Sequence, residues 1–344
     1  GHHRRRVSAS PRAPPSPGAV CLQAVLIPPQ EERLRARFDL VGAELRADVT
    51  GWHKYAILAG ERVFLFPRHA EWVEGLEREL AAYAVLDEVV GVPAPRLLGR
   101  HEDPAVWPHP FGCVSRLSGV RYGSVERETP PERLGDLLVR LANLIAAWHS
   151  APLDAVPEAL ASAPPPSVPV GLDHGWGRAA LHPGGLVPAV EALHARLSAL
   201  GLGTPPPDRW VEPLRDLTTL APVLVHGDVH EDQILIADAA SLRITGILDW
   251  ETARVDHPVW DFNFGEWGHG IWERRQRFAA FRRRMWVAYC ARRGMACGEA
   301  SALHLFYSLV EMAWCLDEHD AGRMDAGRLR RECAWRLTSL GEET

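Results

Sequence analysis

The sequence predicts an α+β protein of two lobes, a small antiparallel sheet followed by a mainly helical body. Three observations predict it. Short β-branched and aromatic runs punctuated by glycine fill residues 43–66. Apolar residues at helical spacing dominate after residue 130. A dense polar segment, His226-Gly227-Asp228-Val229-His230-Glu231-Asp232-Gln233, directly follows the apolar run at 223–225. With 344 residues, 47% apolar and 24% charged, the chain can bury a substantial core.

Gly1-His2-His3 read as a tag remnant and residues 4–29 as a Pro/Arg/Ser-rich arm, so residues 1–29 are set aside as disordered. The lobes are then residues 30–117 and 118–344. Glu31 to Phe38 reads as a short helix. Residues 43–48, 55–59 and 62–66 read as three strands, separated by Thr50-Gly51 and Gly60. From Ala70 to Asp87, Trp72, Val73, Leu76, Leu80, Tyr83 and Ala84 recur at helical spacing until Val92-Pro93-Ala94-Pro95 breaks the pattern. Phe111 to Leu117 is extended again.

Pro130-Pro131 opens a helix whose stripe of Leu134, Leu137, Leu138, Leu141, Leu144, Ile145 and Trp148 is core. Loops are expected at residues 151–169 and at Thr204-Pro205-Pro206-Pro207. Residues 234–236 and 242–248 read as a hairpin that delivers Asp249. Residues 272–292, 301–318 and 328–340 read as the closing helices.

Net charge is −6, and without the four arginines of the first twelve residues the body is near about −10, so no basic face dominates and nucleic acid is not an expected partner. Six cysteines without CxxC or framework spacing fit a reducing cytoplasm. No apolar run reaches the roughly 18 residues of a membrane span, and the stretch 19–27, short and preceded by Pro11, Pro14, Pro15 and Pro17, does not read as a signal peptide. An acidic body suits a cationic small molecule. The chain is expected as a monomer or homodimer.

The polar segment carries the chemistry. Asp228 and Asp249 stand at the ends of apolar strands, and a hydrogen-bonding side chain, Gln233, follows the first by five positions. Such a set suits magnesium-assisted phosphoryl transfer, in which one carboxylate takes a hydroxyl proton while the other, with an amide, holds the cation bridging the phosphates. His226 reads as a loop stabiliser rather than a base. His230 and Asp232 could line the substrate site or face water.

His226-Gly227-Asp228 with its loop, and Ile247-Leu248-Asp249-Trp250, resemble the two signature segments of the aminoglycoside phosphotransferase family. Phe66-Pro67-Arg68, Leu76 to Leu80 with Glu79, Ala146-Ala147-Trp148-His149 and Asp256-His257-Pro258-Val259-Trp260-Asp261 extend the resemblance from about Thr50 to Asp261. It implies a protein-kinase-like fold, with a nucleotide-binding N-lobe and a catalytic, substrate-binding C-lobe. It further implies an O-phosphotransferase that moves the γ-phosphate of ATP or GTP, with Mg²⁺, to a hydroxylated cationic antibiotic, conferring resistance. Asp228 would be the catalytic base and Asp249, with Gln233, the Mg²⁺ ligands. Glu79 would orient the phosphate-binding cation, Asp261 would brace the catalytic loop, and Val114 to Leu117, including Ser115, would form the hinge that meets the purine.

Two positions depart from the family. Leu65 stands where a strand Lys or Arg reaches the phosphates, leaving Lys54, Arg62 or Arg68 to supply the charge; Gln233 stands for Asn. Acidic residues that could receive ammonium groups are Glu251, Asp256, Glu266, Glu311 and Asp317, with Glu266 preferred. Macrolide or cyclic-peptide antibiotics are alternative substrates. From other classes, a nucleotide-binding pseudokinase is motivated by Leu65 and Gln233. A metal-dependent hydrolase is motivated by His226, Asp228, His230 and Asp232, which would share one face if they alternated on a strand.

Overall fold

In the computed structural model, which describes residue 22 and residues 25–161, 175–262 and 278–341, the chain divides into two compact units. The first comprises residues 1–76 and 98–116, the second residues 77–97 and 117–344.

The first unit is built on a five-stranded sheet. Its elements are α1 (Pro28–Arg37), β1 (Leu45–Asp48), β2 (Lys54–Ala59), β3 (Arg62–Pro67), β4 (Leu97–His101) and β5 (Phe111–Ser115), in the sheet order β1-β2-β3-β5-β4. The first three strands are antiparallel neighbours, and β3 is also antiparallel to β5. Alternation divides the residues of this sheet between two faces. Ile57, Ala59, Phe64 and Phe66 pack with Leu34 of α1, Phe111 and Trp107 in one core, with Tyr55 at its margin. Lys54, Ala56, Leu58, Val63, Leu65 and Pro67 occupy the opposite face, because Lys54 pairs with Pro67 and Ala56 with Leu65. The ordered chain starts earlier than the sequence reading placed it. Val25 and Leu26 are buried in the same core and α1 begins at Pro28, since an apolar pair ahead of a helix gains more by packing than by solvation. Residues 1–21, 23 and 24 lie outside the described residues.

Helix α2 (Val73–Leu86) passes from the first unit into the second. There α3 (Pro131–Trp148) buries the expected Leu134, Leu137, Leu138, Leu141, Ile145 and Trp148 stripe, much of it against α8 (Phe278–Arg293). Three helices in this unit, α5 (Gly175–Leu181), α6 (Leu186–Ala199) and α7 (Asp208–Thr218), were not expected from sequence, nor was the short α4 (Glu158–Ala161). In α7 the stripe Trp210, Val211, Leu214 and Leu217 is buried although Pro213 lies inside the helix. Tertiary burial there offsets the lost backbone hydrogen bond.

Small strands carry the polar segment. β7 (Val223–Val225) pairs antiparallel with β10 (Arg254–Asp256), while β6 (Val120–Arg121), β8 (Ile234–Ile236) and β9 (Ile244–Ile247) form a second sheet in the order β6-β8-β9. The β8–β9 pair is the hairpin expected to present Asp249. The closing helices α9 (Ala302–Asp320) and α10 (Ala326–Gly341) enclose an ionic cluster: Glu311 accepts from Arg282 at 2.9 Å and from Arg336 at 2.8 Å. Glu311 is therefore held by two buried guanidinium groups and is not free to meet an ammonium group. Among the described residues no helix is long and apolar enough to cross a membrane.

Buried histidines are expected to make the fold acid-sensitive. Burial pushes His257 down to about 4 and His304 down to about 3, with nearby Arg282 acting in the same direction on His304. A histidine depressed in the folded state is protonated more readily in the unfolded chain, so its stabilising contribution is complete above about pH 6.5 and is lost as pH falls toward the folded value. The unfolding midpoint is expected to be flat between pH 8 and 7 and to fall steadily from about 6.5 to 4, with about 3 kcal/mol at stake for His257 alone. Thermal melts across that range check it.

Candidate active site

The site grows from the end of β7, where the chain turns sharply through Gly227. Gly227 has φ +83, and a Cβ there would sit 2.5 Å from Arg254 Nη1 and 3.1 Å from the Thr252 carbonyl oxygen. Only glycine fits such a turn without strain. Asp261, fully buried, holds it from below: Oδ1 accepts the Gly227 N–H at 2.7 Å and Oδ2 accepts the His226 N–H at 3.0 Å. Oδ2 also accepts from Trp148 Nε1 at 2.7 Å and from His149 Nε2 at 3.0 Å. Burial pushes the Asp261 carboxyl up, but His149 and the other donors outweigh it and hold it below the usual carboxylate range. Burial keeps His149 below its ordinary value, which suits a neutral ring donating from Nε2 while Nδ1 accepts from the Tyr289 hydroxyl at 2.9 Å.

His226 joins the two signature segments, as its expected loop-stabilising role requires. Its Nε2 lies 2.9 Å from the Leu248 carbonyl oxygen, its Nδ1 accepts the Asp228 N–H at 3.3 Å, and its own carbonyl accepts from Thr252 Oγ1 at 2.6 Å. The ring thus fixes the spacing between Asp228 and the residue preceding Asp249. A backbone bond of 2.9 Å from Leu248 N–H to the Gln233 carbonyl ties the hairpin to the same loop. Asp249 itself is held at φ +67, a left-handed conformation that a non-glycine residue adopts only when its surroundings impose it.

These constraints bring Asp228, Gln233 and Asp249 together. The Asp228 side chain is 30% exposed, and its Oδ2 accepts from Gln233 Nε2 at 3.3 Å and lies 4.0 Å from His230 Nε2. Burial pushes its carboxyl up; His230 and His226 oppose this, and the negative charge of Asp249 reinforces it, so the two carboxylates share one electrostatic field. Gln233 is buried, and with its amide nitrogen on Asp228 its Oε1 is a buried acceptor without a hydrogen-bond partner. An orphaned amide oxygen beside two carboxylates is a hard, all-oxygen donor set of the kind Mg²⁺ takes, completed by phosphate or water.

The remaining sequence candidates fall as follows. His230 caps the turn 231–233 by accepting the Asp232 N–H at 3.3 Å; Asp232 is exposed, and its carbonyl accepts from Arg121 Nη1 at 3.0 Å. Glu251 is partly exposed in the turn after Trp250, while Glu266 lies outside the described residues. Asp256 is paired with Arg254 at 2.6 Å and Asp317 with Arg196 at 2.9 Å. Glu79 is buried rather than solvated and accepts from the Tyr83 hydroxyl at 2.7 Å. Ser115 ends β5 opposite Arg62, and Leu117 packs toward Gly246. Arg68 donates to the Val49 carbonyl at 2.6 Å and lies 4.4 Å over the Tyr55 ring, on the core side of the sheet, and Arg62 donates to the Phe38 carbonyl at 3.0 Å. Lys54 alone of these three cations shares the face of Leu65, one strand pair along.

The residues 226–233 are a turn followed by a 3-10 segment, not a strand, so His226, Asp228, His230 and Asp232 do not line one face. Among the described residues no group of three or more His, Cys, Asp or Glu is placed to hold a metal ion by itself. Sequence reasoning missed Thr252, Arg254 and Tyr289. Their roles depend on long-range packing that no local pattern announces.

Residues 45–300 match the family model described as "Phosphotransferase enzyme family". No curated protein sequence matches the chain. Among solved structures, the GDP and kanamycin complex of APH(2")-IIIa is 18% identical, with a TM-score of 0.50 over 91% of this chain and 99% of that one. ADP-bound APH(2'')-Ib is 16% identical, with a TM-score of 0.51 over 91% and 98%. A third solved protein, from Ralstonia eutropha, is 17% identical, with a TM-score of 0.52 over 92% and 99%. The architecture is therefore the kinase-like α+β fold, and with the family match spanning most of its length, this chain belongs to the phosphotransferase enzyme family.

Proposed function

We propose that the protein transfers the γ-phosphoryl group of ATP or GTP, with Mg²⁺, to a hydroxyl of an antibiotic such as an aminoglycoside, and so inactivates it in the cytoplasm. The observation that carries this reading is the cluster of Asp228, Gln233 and Asp249 on a loop clamped by buried Asp261. The kanamycin complex of a protein with the same fold supports the substrate class.

In this reading Asp228 receives the acceptor hydroxyl, orients its oxygen toward the γ-phosphorus and takes its proton; a carboxylate raised by burial is a stronger acceptor than an exposed one. Asp249 and Gln233 Oε1 would hold the cation, which would supply neutralisation of charge on the phosphate oxygens. His226 and Asp261 keep these groups in register, so little reorganisation precedes transfer. The partnerless Oε1 of Gln233 favours a catalytic over a pseudokinase reading. The direct test is mass spectrometry of hydroxylated aminoglycosides, macrolides and cyclic peptides incubated with enzyme, Mg²⁺ and either ATP or GTP. One added phosphate on an aminoglycoside is expected; no product from any of them would overturn the reading.

Lys54, on the Leu65 face, takes the phosphate-binding role that the family gives to a strand cation. Lys54→Met is expected to weaken triphosphate binding at least about tenfold, the scale of one charge-assisted hydrogen bond. Arg68→Met should change it far less. Transplanting the charge with Leu65→Lys in the Lys54→Met background should restore part of the affinity, measured by calorimetry with a non-hydrolysable triphosphate. Equal losses in Lys54→Met and Arg68→Met would remove the assignment.

A further inference from the structure

Away from this site, the end of α8 brings the segments of two cysteines together. Gly294, at φ +65, ends the helix, and the chain doubles back so that the Met295 N–H donates to the Cys290 carbonyl at 3.1 Å. Trp286 Nε1 then donates to the Cys297 carbonyl at 3.0 Å. Trp286 and Cys290 are one helical turn apart on the same face, so these two bonds lay the returning segment that carries Cys297 back along the face that carries Cys290. Cys290 is 1% exposed, whereas Cys297 is partly exposed and lines a cavity of about 340 Å³. Pro213, Leu217, Leu220, Trp286 and Met295 form much of the cavity wall.

We propose that Cys290 and Cys297 form a peroxide-sensitive dithiol, in which a small hydroperoxide entering the cavity oxidises Cys297 and Cys290 then closes a reversible disulfide. In the first step the Cys297 sulfur attacks the nearer peroxide oxygen: an S–O bond forms, the O–O bond breaks, and the departing oxygen leaves as water or an alcohol with the thiol proton. In the second, the Cys290 sulfur attacks the Cys297 sulfur: the S–S bond forms, the S–O bond breaks, and hydroxide leaves as water with the Cys290 proton. Two thiols are oxidised by two electrons and one peroxide is reduced. The order of attack follows from access, since only Cys297 of the pair meets the cavity. Burial, then the neighbouring Cys297, pushes the Cys290 thiol up to about 12, so it stays protonated and is a poor first nucleophile toward the peroxide.

The test uses the full chain, treated with hydrogen peroxide, alkylated and digested with trypsin. Cleavage after Arg292 and Arg293 separates the two thiols, so a disulfide appears as peptide 285–292 linked to peptide 294–323, lighter than their sum by two hydrogens. The link should vanish with dithiothreitol and persist in Cys315→Ser, which removes the other cysteine of the second peptide. Cys290→Ser should leave a sulfenic acid on Cys297 that dimedone traps. Unreacted Cys290 and Cys297 under conditions that oxidise a control dithiol would overturn the proposal. So would a link that disappears in Cys315→Ser, or one confined to Cys315 and Cys333.

Discussion

Asp228→Asn is expected to lower kcat by roughly three orders of magnitude while the fold and triphosphate affinity are retained. The argument rests on what asparagine keeps and what it removes. Its carbonyl oxygen can still accept from Gln233 Nε2, now 3.3 Å from Asp228 Oδ2, and the backbone bond to His226 Nδ1 is untouched, so the loop stays in place. What is lost is an anion able to take a proton from the acceptor hydroxyl. Steady-state kinetics against the drug identified by the panel, together with calorimetric triphosphate titration and thermal melting, separates these contributions. A kcat within about tenfold of the parent would mean that Asp228 positions the hydroxyl at most and that the proton leaves by another route.

Asp261→Ala should have the largest effect on stability. Four N–H donors, from His226, Gly227, Trp148 and His149, converge on this carboxylate, and removal leaves all four buried without an acceptor. Breaking a buried charged network from one side costs about 3–5 kcal/mol. For a chain of this length that corresponds to a midpoint lower by roughly 4–7 °C. Trp148→Phe, which removes one donor of the four, should cost nearer 1 kcal/mol. Activity measured at low temperature, where Asp261→Ala remains folded, should also fall, because the Gly227 turn that aims Asp228 loses its anchor. Equal midpoints for the two variants would show that the carboxylate is not the hub of this network. The pH window is a second signature. Asp261 is held below its ordinary value, so its contribution persists until pH falls below about 4, beneath the window in which the His257 contribution is lost.

How far the site was legible can be judged residue by residue. His226, Asp228, Gln233 and Asp249 are close in sequence and joined by one hairpin, so their convergence needs only a strand, a turn and a second strand, all of which leave local signals. Glu79, Lys54 and Arg68 were named from the same resemblance, yet their surroundings were not readable. Glu79 sits buried with Tyr83 on its own helix, and Arg68 faces the core side of the sheet over Tyr55. The two faces of the sheet follow from strand register, which depends on pairing across β2 and β3 rather than on composition. The acidic residues considered for a cationic substrate show the same limit, since Glu311 and Asp317 are paired with arginines brought from elsewhere in the chain, while Asp256 is paired with Arg254 on its own strand.

Periodicity by itself determined the sheet-then-helices order, the burial of the α3 stripe and the hairpin that presents Asp249, because these follow from which side chains water excludes along a short stretch of chain. Helices α5 to α7, interrupted or flanked by proline, exist because neighbouring helices cover their apolar faces. The clamp on the catalytic loop was likewise decided by folding: Asp261 acts on Gly227 from 34 positions away and draws on Trp148 and His149 from more than 110 positions away. Hydrogen bonds over such separations form only once the backbone has closed the intervening loops, and a linear pattern contains no term for that closure.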